Sequence, residues 1–298
     1  MSLHKITDNI TVIDSPINGR KGTLGTYLIS GERNALIDPG PSTQTLGVID
    51  ALHGLKITDL QAILLTHIHL DHGGGSWMLL EEYPESYLHC HPKGTEHMIN
   101  PTQLKEGALR LFGDRIQEYG RITGVDEKRV RESRDGEVID LGGIHLETIW
   151  TPGHSSHSQS YFEPDSRTAF VGDAVGHTMG ENGPIIPVSP PPHNPEQAIQ
   201  SIEKIAALKP ETICIAHFGA HDEPEKHLNR IKERTKLWRR LALKAVDENM
   251  KLDNLVDLVL IEDEGLIESI KMGEEPNHSI KASLLGFYLY AKWMRDKK

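Results

Sequence analysis

Thr66-His67-Ile68-His69-Leu70-Asp71-His72-Gly73-Gly74-Gly75 places three imidazoles and one carboxylate within six residues. It follows Ala62-Ile63-Leu64-Leu65, an apolar run that reads as a buried strand. In an extended segment His67 and His69 alternate onto one side, whereas Asp71 and His72 come after the chain has begun to turn. The glycines permit a tight turn and lead into a helix beginning near Ser76. Two nitrogen donors from one pair, with an oxygen and a nitrogen from the next, suit two adjacent borderline cations such as zinc. The competing reading is a His-rich surface loop, and the density of donors directly after a buried strand argues against it.

Three more apolar runs end on a donor in the same way. One closes on Thr151-Pro152-Gly153-His154, one is Ala169-Phe170-Val171-Gly172-Asp173, and one is Thr212-Ile213-Cys214-Ile215-Ala216-His217. Upstream, Thr26-Tyr27-Leu28-Ile29 and Leu36-Ile37-Asp38-Pro39-Gly40 read as a hairpin followed by a turn. Residues alone leave Asp38 as a turn aspartate.

Together these motifs resemble the metallo-β-lactamase-fold superfamily. The resemblance implies an α/β fold, a four-layer αββα sandwich with the site at one edge of its two sheets. It implies that His67, His69 and His154 hold a first ion, that Asp71, His72 and His217 hold a second, and that Asp173 bridges both. Asp38 becomes a buried carboxylate beneath the site. The cofactors expected are two divalent metal ions, zinc first, although imidazole and carboxylate also accept Fe, Mn or Co. Each ion keeps an open position, which marks a catalytic site. The implied reaction is hydrolysis of an ester-type bond, with a thioester or ester of a small anionic molecule favoured by analogy with the glyoxalase II branch. Asp71 would accept a proton. Lactone and phosphodiester hydrolysis stay open, as does a mononuclear-iron persulfide dioxygenase.

The domains expected are a catalytic domain over residues 1–222, with a helical insertion at about 92–130, and a helical C-terminal extension over 223–298. Helices are expected over Thr43 to Leu52, Trp77 to Tyr83, Gln103 to Tyr119, Glu223 to Val246, Asn254 to Ile261 and Ser279 to Met294. The third presents Leu104, Ala108, Leu111 and Ile116 and is placed to roof the site. A Gly-rich stretch, Asn18 to Gly25, separates the first strands. Four further histidines, His157, His177, His193 and His221, lie near the ligand loops as candidates for orienting a ligand or touching substrate. His89 and His91 mimic a metal pair but read as strand histidines with hydrogen-bonding or solvent-facing roles, and His145 reads as structural.

With 298 residues and a formal net charge of −11, the chain has ample core and no basic surplus for a nucleic-acid surface. The partner expected is a small-molecule substrate, with neither nucleic acid nor membrane. The Pro-rich loop Pro184 to Pro195 is read as a rim or homodimer contact, and the aromatic last helix as a packing helix first, with pocket lining or a homodimer contact as alternatives. Residues from Met1 onward lack a signal-peptide core, so the cytoplasm is the expected compartment. Cys90 and Cys214, in apolar strands, read as buried reduced thiols.

Overall fold

Apolar strands that end in turns dominate the first half of the chain, and helical periodicity dominates the last quarter. The computed structural model describes residues 2–14, 16, 21–178, 184–271 and 277–297. Residues 18–20 of the expected Gly-rich stretch lie outside the described residues. The chain divides into two compact units. The first comprises residues 1–150, 157–172 and 211–222, and the second comprises 151–156, 173–210 and 223–298.

The first unit holds two sheets. Strands β1 (Ser2–Lys5), β2 (Ile10–Asp14), β3 (Gly25–Ser30), β4 (Asn34–Ile37), β5 (Ala62–Leu64), β6 (Tyr87–Cys90) and β7 (Val130–Glu132) lie in that order across one sheet. The pairing is antiparallel as far as β4 and parallel from β4 to β7. Parallel neighbours need crossovers, and the connections are helical. They run through α1 (Ser42–Gly54), then α2 (Leu70–Gly73) with α3 (Ser76–Glu82), then α4 (Pro92–Ile99) with α5 (Thr102–Phe112). The other sheet uses β8 (Val138–Asp140), β9 (His145–Trp150), β10 (Gln159–Glu163) and β11 (Thr168–Gly172). After the second unit's short pair β12 (His177–Thr178) and β13 (Ile185–Ile186), it gains β14 (Thr212–Ile215) and β15 (Ala220–His221).

Tyr27, Ile37 and Leu64 of the first sheet and Leu146, Tyr161 and Phe170 of the second share one core. Val48, Leu52, Leu79 and Met98 pack with Leu28, Leu36 and Ile63 to form another, so helices flank that sheet. β5 is therefore covered on both faces, which explains its unbroken apolar run. The expected α/β sandwich is the fold found.

In the second unit, α6 (Pro195–Ala207) begins where Asn194 accepts a hydrogen bond from Gln197 N at 3.1 Å and Pro195 occupies the first turn. It is followed by α7 (Pro224–Asp247), α8 (Leu252–Glu262), α9 (Glu264–Lys271) and α10 (Asn277–Asp296). Trp238, Leu241, Leu255, Leu284 and Phe287 are buried together. One carboxylate organises this core. Asp263 accepts two bonds from Arg234, at 2.6 and 2.7 Å, and one from Trp238 Nε1 at 2.9 Å. Arg234 also donates to Ile185 O, tying α7 to β13.

Several elements differ from the sequence expectation. The helix expected over 103–119 stops at Phe112, where Gly113 takes φ +57°, and continues to Tyr119 as a 3₁₀ turn. Leu111 is 46% exposed, so it does not belong to the apolar stripe assigned to it. Strands β1, β7 and β10 and helix α9 were not anticipated. In β10 the flanking Gln159 and Glu163 disguise a fully buried strand. Gln159 donates to Leu65 O at 2.8 Å, and Glu163 receives the backbone N–H groups of Asp165 and Ser166, so both polar ends are satisfied inside.

Candidate metal centre

β5 ends at Leu64, and the next residues leave the C-terminal edge of the parallel strands, the usual place for a site in such sheets. The loop is fixed from below by Asp38. This residue follows β4, is 4% exposed and adopts φ +51°, a left-handed conformation that aspartate tolerates better than most residues. Its carboxylate accepts from Thr66 N at 2.8 Å, from Thr66 Oγ1 at 2.6 Å and from His72 Nδ1 at 3.0 Å.

These bonds set the imidazole tautomers. A carboxylate only accepts, so His72 Nδ1 carries the proton and Nε2 carries the lone pair. Thr66 spends its proton on Asp38 and so accepts from His67 Nδ1 at 3.1 Å, leaving the lone pair on His67 Nε2 as well. Orienting one ring nitrogen so that the other can coordinate is a common device of metal sites.

Within the first unit, His67 and His69 have ring centroids 4.6 Å apart, and His67 and His72 3.9 Å. His72 Nε2 and His217 Nε2 both lie 3.7 Å from Asp71 Oδ2. One donor atom from each of Asp71, His72 and His217 falls within 4.8 Å of the others. Two imidazoles and a carboxylate at this spacing fit a borderline divalent cation. His217 arrives two residues after β14 ends, and β14 pairs in parallel with β11. Tyr27 OH donates to Ile215 O, fixing that end of the strand against β3.

Glycine is required at the end of β11. Gly172 has φ +52°, and a Cβ there would sit 2.4 Å from Thr66 Oγ1, so a side chain would displace the hydroxyl that holds the metal loop.

The second unit carries His154 and Asp173, buried at 3% and 5% exposure with His154 Nε2 3.6 Å from Asp173 Oδ2. His154 Nδ1 donates to Val188 O at 2.7 Å, the same tautomer-fixing arrangement supplied here by the backbone. Both residues line a small recess with Pro187, Val188, His193, Ala198, Ile202 and Ile231 among its walls. Burial, with His154 close by, lowers the His193 imidazole to about 3.

The other sequence candidates distribute as follows. His157 is half-buried in the first unit, its ring 5.4 Å from that of His69 and 6.3 Å from that of His67. His221 sits in β15 opposite Ile213, and His177 in β12 opposite Ile186. His89 bonds Tyr161 OH at 3.0 Å and also Glu137, which gives it a structural role. Tyr288 donates to Met250 O, Trp293 is 48% exposed, and neither residue lines the recess; nor does Tyr290.

Tyr119 emerges as a further candidate. Ser42 Oγ donates to Arg121 O at 2.5 Å and lies 3.0 Å from Gly74 O, and Thr43 Oγ1 donates to Glu118 O at 2.8 Å, pinning the 3₁₀ turn beside the metal loop. Burial first, then the Asp71 carboxylate, raises the Tyr119 phenol above its usual range. In the sequence it was only the last residue of an amphipathic segment.

A family profile described as the metallo-beta-lactamase superfamily matches residues 25–217. The chain is similar to the metallo-beta-lactamase fold-containing protein ST1585 of Sulfurisphaera tokodaii, 30% identical over 213 residues that cover 69% of this chain and 77% of that one. The solved structure of ST1585 matches with a TM-score of 0.66 and 26% identity, over 78% of this chain and 86% of that one. The metallo-beta-lactamase family protein TTHA1429 of Thermus thermophilus matches with a TM-score of 0.73 over 98% and 95% of the two chains, and at 19% identity it speaks for the fold alone. Hydroxyacylglutathione hydrolase GloC of Haemophilus influenzae is 27% identical over 194 residues, 64% of this chain and 82% of that one. The chain thus belongs to the metallo-beta-lactamase superfamily, as an enzyme of the metallo-hydrolase kind.

Proposed function

We propose that the chain is a dinuclear metal-dependent hydrolase of a thioester or ester of a small anionic substrate. The observation that carries this reading is the Asp71–His72–His217 donor group, backed by a buried Asp38 that turns His72 Nε2 outward as a lone-pair donor. The second ion would be held by these three residues, the first by His67, His69 and His154, and Asp173 would serve both. Zinc suits this nitrogen-rich set, and iron or manganese is compatible with it.

When bound, such ions polarise an ester-type carbonyl and lower the pKa of water enough for attack near neutral pH. The chain's own residues supply the rest. Asp71 offers a carboxylate oxygen as ligand and as proton acceptor for the attacking water. Asp38 and Thr66 keep the imidazoles in the coordinating tautomer. Tyr119, whose phenol is held above its usual range by burial and by the Asp71 carboxylate, stays a neutral O–H hydrogen-bond donor near the donor group. The relative named a hydroxyacylglutathione hydrolase supports the thioester choice. No described helix is long and apolar enough to cross a membrane. Cys90 and Cys214 are buried free thiols, which suits the reducing cytoplasm.

The test is elemental analysis of protein purified without added metal, followed by turnover on ester, thioester, lactone and phosphodiester panels. Two ions per chain and chelator-sensitive thioester or ester hydrolysis are expected. One iron per chain with oxygen consumption on a persulfide would replace this reading with the dioxygenase.

A further inference from the structure

The two residues that launch the metal loop, Leu65 and Thr66, are buried and come directly after β5. Their backbone N–H groups are held within their own sheet. Leu65 N donates to His89 O at 2.9 Å and Thr66 N to Asp38 Oδ1 at 2.8 Å. Their carbonyls are held by the other sheet, and both by Gln159 at the start of β10. Gln159 N donates to Thr66 O at 2.8 Å, and Gln159 Nε2 donates to Leu65 O at 2.8 Å. Gln159 is 1% exposed, and its carboxamide is anchored in turn. Ser133 Oγ accepts from Trp150 Nε1 at 3.0 Å and donates to Gln159 Oε1 at 2.5 Å.

The neighbouring donor is spent elsewhere. Glu137 only accepts, so His89 Nε2 carries the proton that faces it. Burial holds the His89 imidazole below its usual range, against the pull of Glu137, and keeps the ring neutral with its lone pair on Nδ1. Tyr161 then donates its phenolic proton to His89 Nδ1 at 3.0 Å, while its oxygen accepts from Gln159 Nε2 at 2.6 Å. The same oxygen lies 3.0 Å from Leu65 O but has no second proton to give. Among the described residues this leaves Gln159 Nε2 to satisfy Leu65 O. A buried carbonyl without a donor is costly, so the backbone at 65 and 66 would turn if the carboxamide were lost. Thr66 carries that turn to the site, because its hydroxyl stands between Asp38 Oδ2 and His67 Nδ1 at 2.6 and 3.1 Å.

We propose that Gln159 is a positioning residue for the metal centre: it sets the peptide planes at 65 and 66, and through them the direction in which His67 presents Nε2. The proposal rests on the metal reading, in which His67 is a ligand, and it assigns part of the ligand geometry to the opposite sheet. Gln159 is the counterpart of Asp38. One holds the carbonyl side of Thr66 and the other holds its N–H side.

The experiment measures zinc affinity by competition with a chromophoric chelator, beside urea unfolding of the metal-free protein. It compares wild type, Gln159→Met, and Gln159→Met combined with His89→Leu. Gln159→Met keeps the length of the side chain and loses its hydrogen bonds, and zinc binding should weaken about tenfold, the worth of one buried hydrogen bond. Gln159→Leu carries the same test should Gln159→Met not fold. In the double variant Tyr161 no longer serves His89 and its proton can turn to Leu65 O. Affinity should then return to within about threefold of wild type, although the protein unfolds more easily. A packing role alone predicts lower stability with affinity unmoved. Zinc affinity within about twofold of wild type in the folded single variant, or a double variant that binds more weakly than Gln159→Met, overturns the proposal. A wild type that binds no zinc sinks the metal reading by itself, and Gln159 is then judged on the metal-free protein by NMR. The imidazole nitrogen shifts should show the Nδ1–H tautomer of His67 in wild type and a mixture in Gln159→Met, and one unchanged tautomer in both overturns the positioning role.

Discussion

Two His-x-His pairs stand at the ends of neighbouring parallel strands of one sheet, and they have opposite fates. His67 and His69 come after β5 has ended, in a loop whose rings cluster with His72. His89 lies inside β6, bonded to Tyr161 and Glu137, while His91 begins α4 by accepting from Lys93 N at 3.1 Å and packs on Trp150 with centroids 4.3 Å apart. The residue pattern is the same. What differs is whether the ring nitrogens are committed to neighbours inside the fold or turned toward other donors by a backing carboxylate.

The comparison is broken most directly by Asp71→Asn. The amide keeps the shape and loses the anionic donor and the proton acceptor, so turnover of a metal-replete sample should fall by about 10²–10⁴-fold with the fold intact. Steady-state kinetics and circular dichroism check it, and activity within threefold of wild type would remove Asp71 from the chemistry. One step back from the donors, Asp38→Ala should weaken metal binding by about 10–100-fold, because His72 and Thr66 lose their common anchor. Competition with a chromophoric chelator measures this.

For the other pair the same kind of change should leave metal untouched. His89→Leu removes the bonds to Tyr161 OH and Glu137, which keep Leu65 O, Gln159 and Arg134 N as partners, and should cost about 0.5–1.5 kcal/mol of stability in urea unfolding at constant metal content. Metal loss in that variant would mean that the two pairs are not separable.

The last effect concerns acid. Burial, then Lys93, lowers the His91 imidazole from 6.5 to about 4, with Asp135 and Glu132 opposing. In that window the unfolded chain binds the proton and the folded one does not. Stability from this group is therefore complete above about pH 6.5 and declines as pH falls toward 4, by at most about 1.4 kcal/mol per pH unit. His91→Gln should flatten that part of the pH–stability curve.

The donors were legible because each closes an apolar strand, and a buried strand ending in a turn leaves its last side chains at a sheet edge. Asp38 was readable only through its family likeness. Nothing local distinguishes a turn aspartate from one that anchors residue 66 and residue 72, since those contacts span 28 and 34 positions. The break at Gly113 was visible as a glycine but not as a change of helix type, because 3₁₀ and α-helical patterns overlap over seven residues. β10 hid behind polar ends whose partners are distant in sequence. His193 was noted for its position between ligand strands. Its burial depends on how closely α10 approaches, which no local pattern encodes.

The sheet that carries His217 is assembled from distant parts of the chain, and this has a consequence for synthesis on the ribosome. β11 and β14 are parallel neighbours, yet roughly 40 residues of the second unit are translated between them. At about 5–20 residues per second the nascent chain spends some 2–8 s with β11 as an outer strand. Its sequence, Thr168-Ala169-Phe170-Val171-Gly172, has no charge or proline to protect an exposed edge. A ribosome stalled in this interval would therefore release a polypeptide that has four of the five candidate ligand histidines, lacks His217, and offers a bare apolar strand to any chaperone or to another stalled copy.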